Sequence, residues 1–337
     1  MEMSKIKALV LFSGGLDSLL AVKILELQDI EVTGLCFASN FFSCENAKKS
    51  ADINSINLKV VDISEDILNL VKNPPSGYGK NLNPCIDCHS LMIGKAAKIM
   101  KNENYDFIAT GEVLGQRPFS QNRVALERVK KIAGVDVLRP LSAKLLPETE
   151  AEKSGLVKRH RLLDISGRMR ERQMELAQKL RLTYPSPAGG CLLTDLGFSE
   201  RLIKMLDYWP DCQANDIELL KYGRVFWSNL NSNKKNLIII GRNAAENDAL
   251  GKLAKRGDIM VELNKDSGPT SLIRGVSGPT EGDSIFTVNI PEHLEHSTLS
   301  ANKEYQPEEL IVAVAVATGS YVPKLRGKKI EIRIIIK

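Results

Sequence analysis

Ile6-Lys7-Ala8-Leu9-Val10-Leu11-Phe12-Ser13-Gly14-Gly15-Leu16-Asp17-Ser18 decides how the N-terminal half is read. Ile6–Phe12 is a near-continuous apolar run, the pattern of a strand buried on both faces. After Gly14 and Gly15, the apolar residues Leu16, Leu20, Ile24 and Leu27 fall on one face of a helix. Strand, glycine turn and helix in that order leave free N–H groups at the first helical turn. With the helix dipole behind them and no side chain on the glycines, those groups suit a pyrophosphate. Asp17 stands where it would hold the accompanying Mg2+. The bland alternative is a turn that merely joins strand to helix, and the full six-residue string in this setting speaks against it.

Outward from this point, Ile30–Phe37, Leu58–Ile63, Asp106–Ala109 and Gly134–Leu138 read as strands. Helical segments lie between them near Cys44–Asn54, Ser64–Lys72 and Cys88–Asn102. The alternation predicts an α/β fold, a doubly wound parallel sheet covered on both faces, over residues 1–148. Ligands of such sheets sit at the carboxyl ends of the strands, here the loop after Phe12. From Thr149 to Asp211 the pattern turns mostly helical and basic. It is broken by Tyr184–Gly190, a connector or active-site loop that cannot be regular structure. A smaller α+β domain is expected over 215–337. Asn229–Asn236 is its polar turn-forming cluster, and Leu237–Ile240, Ile285–Val288, Leu310–Ala317 and Ile330–Ile336 are its strand-like runs.

Composition narrows the class. The 337 residues are 43% hydrophobic and 26% charged, enough apolar mass for two cores. No apolar run approaches the roughly 20 residues that cross a bilayer, and Met1–Lys7 has no signal-peptide character, so a cytoplasmic protein without membrane insertion is expected. Six cysteines are too few for a disulfide scaffold, and disulfides are not expected to hold the fold. Net charge is only +5, but Lys153–Arg181 carries nine basic residues against three acidic ones. That stretch suits a polyanion, or is a solvated helix face. Eighteen aromatic residues argue against a base-stacking platform.

The string Ser13–Ser18 resembles the PP-loop of the ATP pyrophosphatase family, which splits ATP between its α and β phosphates and adenylates a substrate. The Lys-Ser/Thr ending of the Walker loop is absent. The resemblance implies ATP and Mg2+ as ligands, AMP and pyrophosphate as products, and a cradle made by Ser13, Gly14, Gly15, Asp17 and Ser18. Cys36 and Phe37 at the second strand's end, and Gly111, complete the expected nucleotide site. Asn83-Pro84-Cys85-Ile86-Asp87-Cys88, led in by Ser76–Lys80 and followed by Tyr105–Gly111, looks like the tRNA thiouridylases, the branch that replaces a uridine carbonyl oxygen with sulfur. Those enzymes usually carry His after Thr-Gly, where this chain has Glu112.

The chemistry needs sulfur held near the phosphate loop. Cys85 and Cys88 have metal-clip spacing, and Cys191 is the other cysteine in a glycine-rich loop able to fold back to them. The resemblance implies three thiolates on a [4Fe–4S] cluster with one iron open to sulfide. A persulfide relay between Cys191 and Cys85 or Cys88 stays open, as does a zinc site on Cys85, Cys88, His89 and Cys191. Cys85–His89 also matches the haem c attachment string, which is set aside because that chemistry needs export. Cys36 reads as a core residue within an apolar strand; Cys44 and Cys212 read as unremarkable thiols, Cys44 being placed to line the pocket.

Gly115–Arg123 is a polar basic loop that contacts RNA, closes over ATP, or is ordinary surface; His160, Arg161, Arg168 and Arg170 suit phosphates or salt bridges. Gly241–Leu250 looks like the opening of the RNA-associated domain called NFACT-R, with Lys255–Met260 and Gly268–Ile273 loosely matching its later strands. That resemblance implies RNA docking, and six basic residues within Tyr321–Lys337 are compatible with it. The expected enzyme is a tRNA sulfurtransferase that adenylates a flipped uridine and admits sulfur from sulfide or a donor protein. Its product is expected to be 4-thiouridine, with 2-thiouridine, a PP-loop ligase acting on no RNA, and an RNA-binding module as rivals.

Overall fold

The computed structural model describes residues 5–185, 190–230, 234–276, 282–293, 299 and 303–337, so Ser186–Gly189 of the expected loop lie outside the described residues. The chain divides into two compact units, Met1–Ser199 and Glu200–Lys337.

The first unit is built on four parallel strands: β1 (Lys7–Leu11), β2 (Glu31–Ala38), β3 (Asn57–Asp62) and β4 (Phe107–Thr110). Their order is β3-β2-β1-β4, which puts the apolar β1 at the centre. Beyond β4, Leu138 bridges Ala109 in parallel, so the expected Gly134–Leu138 strand shrinks to a short extension of the sheet. Helices α1 (Leu16–Glu26), α2 (Glu45–Asn54), α3 (Ser64–Lys72), α4 (Cys85–Asn102) and α5 (Arg123–Ala133) lie between the strands and after them. α1 is buried on most of its surface, including Leu16, Leu19, Leu20 and Leu25. Each such side chain contributes about 1.5–3 kcal/mol. Leu27, expected on the apolar face, instead follows the last turn and is largely exposed. α4 begins three residues before the expected Cys88, because Pro84 precedes it and its carbonyl accepts the Cys88 N–H at 2.8 Å. α5 is capped by Asn122, whose side chain accepts the Ala125 N–H at 2.8 Å, and ends at Gly134 with φ +67°.

The stretch after Thr149 is less helical than expected. It holds α6 (Glu150–Lys153), α7 (Glu171–Lys179) and the start of α8 (Leu196–Tyr208), while 154–170 is mostly turns. Several of its basic residues are spent locally: Lys153 on Glu150, Arg159 on Glu152 and Arg172 on Asp164.

A second departure concerns cysteine. Cys36 and Cys44 form a disulfide with their Cα atoms 6.0 Å apart; Cys36 is buried in the core as expected, whereas Cys44 is not the unremarkable thiol expected of it. The end of β2 turns back through Ser39–Phe42 to the start of α2, a closure that no cysteine spacing reveals.

The second unit carries α9 (Ala214–Leu219), strands β5 (Arg224–Leu230) and β6 (Lys234–Ile240), α10 (Ala244–Leu253), β7 (Ile259–Leu263), β8 (Ser271–Arg274), β9 (Gly282–Asn289), β10 (Glu304–Tyr305), α11 (Pro307–Ser320) and β11 (Lys329–Ile336). The strands form one seven-stranded mixed sheet in the order β10-β5-β6-β8-β7-β11-β9. Asn231–Asn233, in the expected turn cluster, lie outside the described residues. The strand-like run Leu310–Ala317 is helical. Pro307 opens the helix, Gln306 and Glu309 form a capping box, and Leu310, Val314 and Ala317 are buried at helical spacing.

Gly111, directly after β4, passes α1 so closely that a Cβ there would lie 2.5 Å from the Ser18 backbone nitrogen and 2.7 Å from the Asp17 carbonyl carbon. Gly111→Ala is therefore expected to push the start of α1 off the sheet. Scanning calorimetry should show a melting temperature lowered by several degrees.

Candidate active site

The loop between β1 and α1 leaves the first helical turn without a side-chain cap. Gly14 has φ +78°, and a Cβ on it would run into the backbone of Asn46 and Ala47 in α2. Gly15 precedes the first turn without a side-chain cap, so the N–H groups that follow are open to a ligand. Ser18 Oγ donates to the Gly15 carbonyl at 2.9 Å and lies 3.3 Å from Ser13 Oγ, which ties the turn to itself. Asp17 Oδ2 accepts from Gln116 Nε2 at 2.9 Å, while Asp17 Oδ1 is buried with no partner among the described residues. A buried carboxylate oxygen left unpaired is costly, and a cation or ligand donor relieves the cost.

Cys85 and Cys88 stand in the first turn of α4. The loop before them is braced twice. Asp87 accepts from the Ser76 N–H at 2.7 Å and its hydroxyl at 2.5 Å, and Arg128 Nη2 donates to that hydroxyl at 2.8 Å. Asn83 Nδ2 donates to Cys85 Sγ at 3.2 Å. The Cys191 loop is fastened to both neighbours: Asn81 Nδ2 donates to the Thr194 carbonyl at 2.8 Å, and the Leu192 N–H donates to the Phe41 carbonyl at 2.9 Å. The Phe41 and Phe198 rings meet edge to face, 6.1 Å apart.

This brings Cys191 within electrostatic range of the other two thiols. Burial, then the proximity of Cys191, Cys85 and Asp87, pushes Cys88 up to about 12. Burial pushes Cys191 up to about 11; Cys85 adds to this, while the Leu193 N–H and Arg117 work against it. Arg117 follows Gln116, so one residue of this loop bonds Asp17 and the charge of the next acts on Cys191. Among the described residues, no three His, Cys, Asp or Glu side chains are arranged to hold a metal ion.

Of the remaining expected site residues, Gly111 lies against α1, and Phe37 is buried at the end of β2. Cys36 is committed to Cys44. His89, considered as a zinc ligand, turns its Nδ1 to Glu112 at 2.9 Å. In the loop 115–123, Gln116 bonds Asp17, Arg123 Nη2 donates to the Leu145 carbonyl at 2.9 Å, and Phe119 is 79% exposed. Arg161 donates to the Leu27 carbonyl, whereas His160 and Arg168 are partly to fully exposed. In the second unit the string Gly241–Leu250 serves the fold: Asn243 caps α10, Arg242 pairs with Glu246, and Asn247 bonds the backbones of Gly268 and Thr270.

Arg139, Asn81 and Phe41 carry no signal in the sequence, since each acts through a partner distant in the chain: Glu112, Thr194 and Leu192 respectively. Burial alone would raise the Glu112 carboxyl. Arg139 at 3.0 Å, with His89, more than offsets this and takes it down to about 2.

The sequence pattern of the family described as thiamine biosynthesis protein (ThiI) matches residues 3–145. The tRNA-specific 2-thiouridylase MnmA of Sulfurimonas denitrificans is 36% identical over 122 residues, covering 33% of this chain and 36% of that protein. A probable tRNA sulfurtransferase of Brevibacillus brevis is 27% identical over 146 residues, covering 41% and 35%. The chain thus spans about a third of the length of these curated relatives. Among solved structures, a 4-thiouridine synthetase in complex with RNA and bound ATP aligns with TM-score 0.34 at 26% identity, covering 41% of this chain and 37% of that one. The U34-tRNA thiolase NcsA of Methanococcus maripaludis, solved with its [4Fe–4S] cluster, aligns with TM-score 0.33 at 21% identity, covering 60% and 66%. The resemblance to the PP-loop tRNA thiolases is borne out over this N-terminal region.

The Glu112 pair makes stability depend on pH in one direction. A folded pKa near 2, against 4.5 for the ordinary carboxyl, means the contribution is fully present above pH 4.5 and is lost as pH falls toward 2. Urea denaturation of wild type and Glu112→Gln should differ by up to about 3 kcal/mol at pH 6, and the difference should narrow below pH 4.5.

Proposed function

We propose that this chain is an ATP-dependent tRNA sulfurtransferase whose product is 4-thiouridine. A uridine carbonyl oxygen is a poor leaving group, and once joined to AMP it can be displaced by sulfur. The reading is carried by one observation: Gln116 donates to the Asp17 carboxylate at 2.9 Å, and the loops that hold Cys85 and Cys191 are bonded together through Asn81 and the Thr194 carbonyl at 2.8 Å. The first-turn N–H groups of α1, with Ser13, Gly14, Gly15 and Ser18, hold the pyrophosphate portion of ATP; Asp17 Oδ1 holds Mg2+.

Cys85, Cys88 and Cys191 hold the sulfur. The Cys88 and Cys191 thiols, raised chiefly by burial, are protonated near neutral pH, which makes them weak nucleophiles for a persulfide relay. The same donor set suits a [4Fe–4S] cluster, whose iron would neutralise the thiolates and leave a position for sulfide. In the second unit, a cleft of about 540 Å3 is lined in part by Tyr208, Trp209 and Arg256, which would meet the tRNA, and by Asp216, which holds Lys255 in an ion pair.

Incubation with unmodified tRNA, ATP and sulfide under anaerobic conditions, followed by nucleoside mass spectrometry, should yield 4-thiouridine. Asp17→Asn should lower the yield at least a hundredfold, and Cys191→Ala should abolish it together with the visible absorbance of the anaerobically isolated protein. Absence of both 4-thiouridine and 2-thiouridine in the wild-type reaction would overturn the assignment. Arg256→Glu should weaken tRNA binding several-fold and lessen its salt dependence, measured by filter binding across a salt series.

A further inference from the structure

Glu112 occupies the position after Thr110-Gly111, only 8% exposed, and both of its carboxylate oxygens are used. Oε1 lies 2.9 Å from His89 Nδ1; Oε2 accepts from Arg139 Nε at 3.0 Å and from Thr110 Oγ1 at 3.2 Å. Arg139 is itself fixed by the sheet, because it follows the Leu138 bridge to Ala109, and its Nη1 donates to the Val137 carbonyl at 3.3 Å.

The carboxylate stands between two functional ends. On one side its chain neighbour Gly111 is packed against the Asp17–Ser18 backbone at the start of α1. On the other, His89 follows Cys88 on α4 and lies one helical turn after Cys85. A buried ion pair is a costly way to join a strand to a helix, and apolar packing of the same volume often stabilises as well or better. Charge-assisted hydrogen bonds supply direction instead: one edge of the imidazole is held in one orientation. The charged and titratable groups facing Glu112 are Arg139 and His89, from the Leu138 extension and from α4.

We propose that Glu112, braced by Arg139, is a positioning residue that sets the first turn of α4, with Cys85 and Cys88, against the phosphate loop by fixing the imidazole of His89. Its turnover readout rests on the sulfurtransferase reading above; its thiol readout does not.

The test compares wild type, Glu112→Gln and His89→Ala. The glutamine keeps the volume and loses the charge. The alanine leaves the Glu112–Arg139 pair intact and removes the group it holds. Alkylation of Cys85 and Cys88 by iodoacetamide is followed peptide by peptide, and thionucleoside formation is followed with the KM for ATP. Both variants should change the alkylation rates at least fivefold. Both should lose at least tenfold in kcat, about 1.4 kcal/mol, while the KM for ATP stays within threefold. A purely structural role for Glu112 leaves His89→Ala like wild type in both readouts, and that result overturns the proposal. So does a KM for ATP that rises in step with the loss of kcat. If wild type forms no thionucleoside while both variants alkylate abnormally, the sulfurtransferase reading falls and the positioning role stands. If Glu112→Gln does not fold, His89→Ala decides.

Discussion

Backbone passes backbone at two glycines, and the arrangement of the site depends on it. Gly14 runs against α2 and Gly111 against the first turn of α1, each with no room for a Cβ. Because β1 lies between β2 and β4, these contacts come from opposite sides and clamp the phosphate loop between the segments that follow its two neighbouring strands. The free N–H groups of α1 are useful only if they stay where they are, and close packing keeps them there.

The clamp also organises the thiols. The turn between β2 and α2, closed by Cys36–Cys44, offers the Phe41 carbonyl to the Cys191 loop, and the Asn-Pro-Cys loop offers Asn81 to the same loop. Cys191, more than a hundred residues after Cys85 in the sequence, is thus held by a strand-end turn on one side and a helix-entry loop on the other. The electrostatics of the site are divided accordingly. Asp17 and the helix N-terminus make an end suited to a metal-bound polyphosphate, and the thiols make an end that resists negative charge until cations join it.

Local signals were read well where the chemistry is local. The parallel sheet, the glycine turn and its helix, and the pairing of Cys85 with Cys88 follow from apolar runs and from residues adjacent in the chain. Leu310–Ala317 was misread because an unbroken apolar run has no period to distinguish strand from helix; the capping residues before it held the answer. The bond between Cys36 and Cys44 is not legible, because a disulfide is a fact of distance and spacing along the chain does not report distance.

What the amino-acid sequence determined by itself was the glycine turn between β1 and α1 and the placing of Cys85 and Cys88 one turn apart, since both are built from neighbours whose backbone geometry their own residue types dictate. Only the tertiary structure decided that Gln116 meets Asp17, that Glu112 joins His89 to Arg139, and that Cys191 reaches the other thiols. Each of these contacts links segments far apart in the chain, and their meeting is set by sheet order and packing.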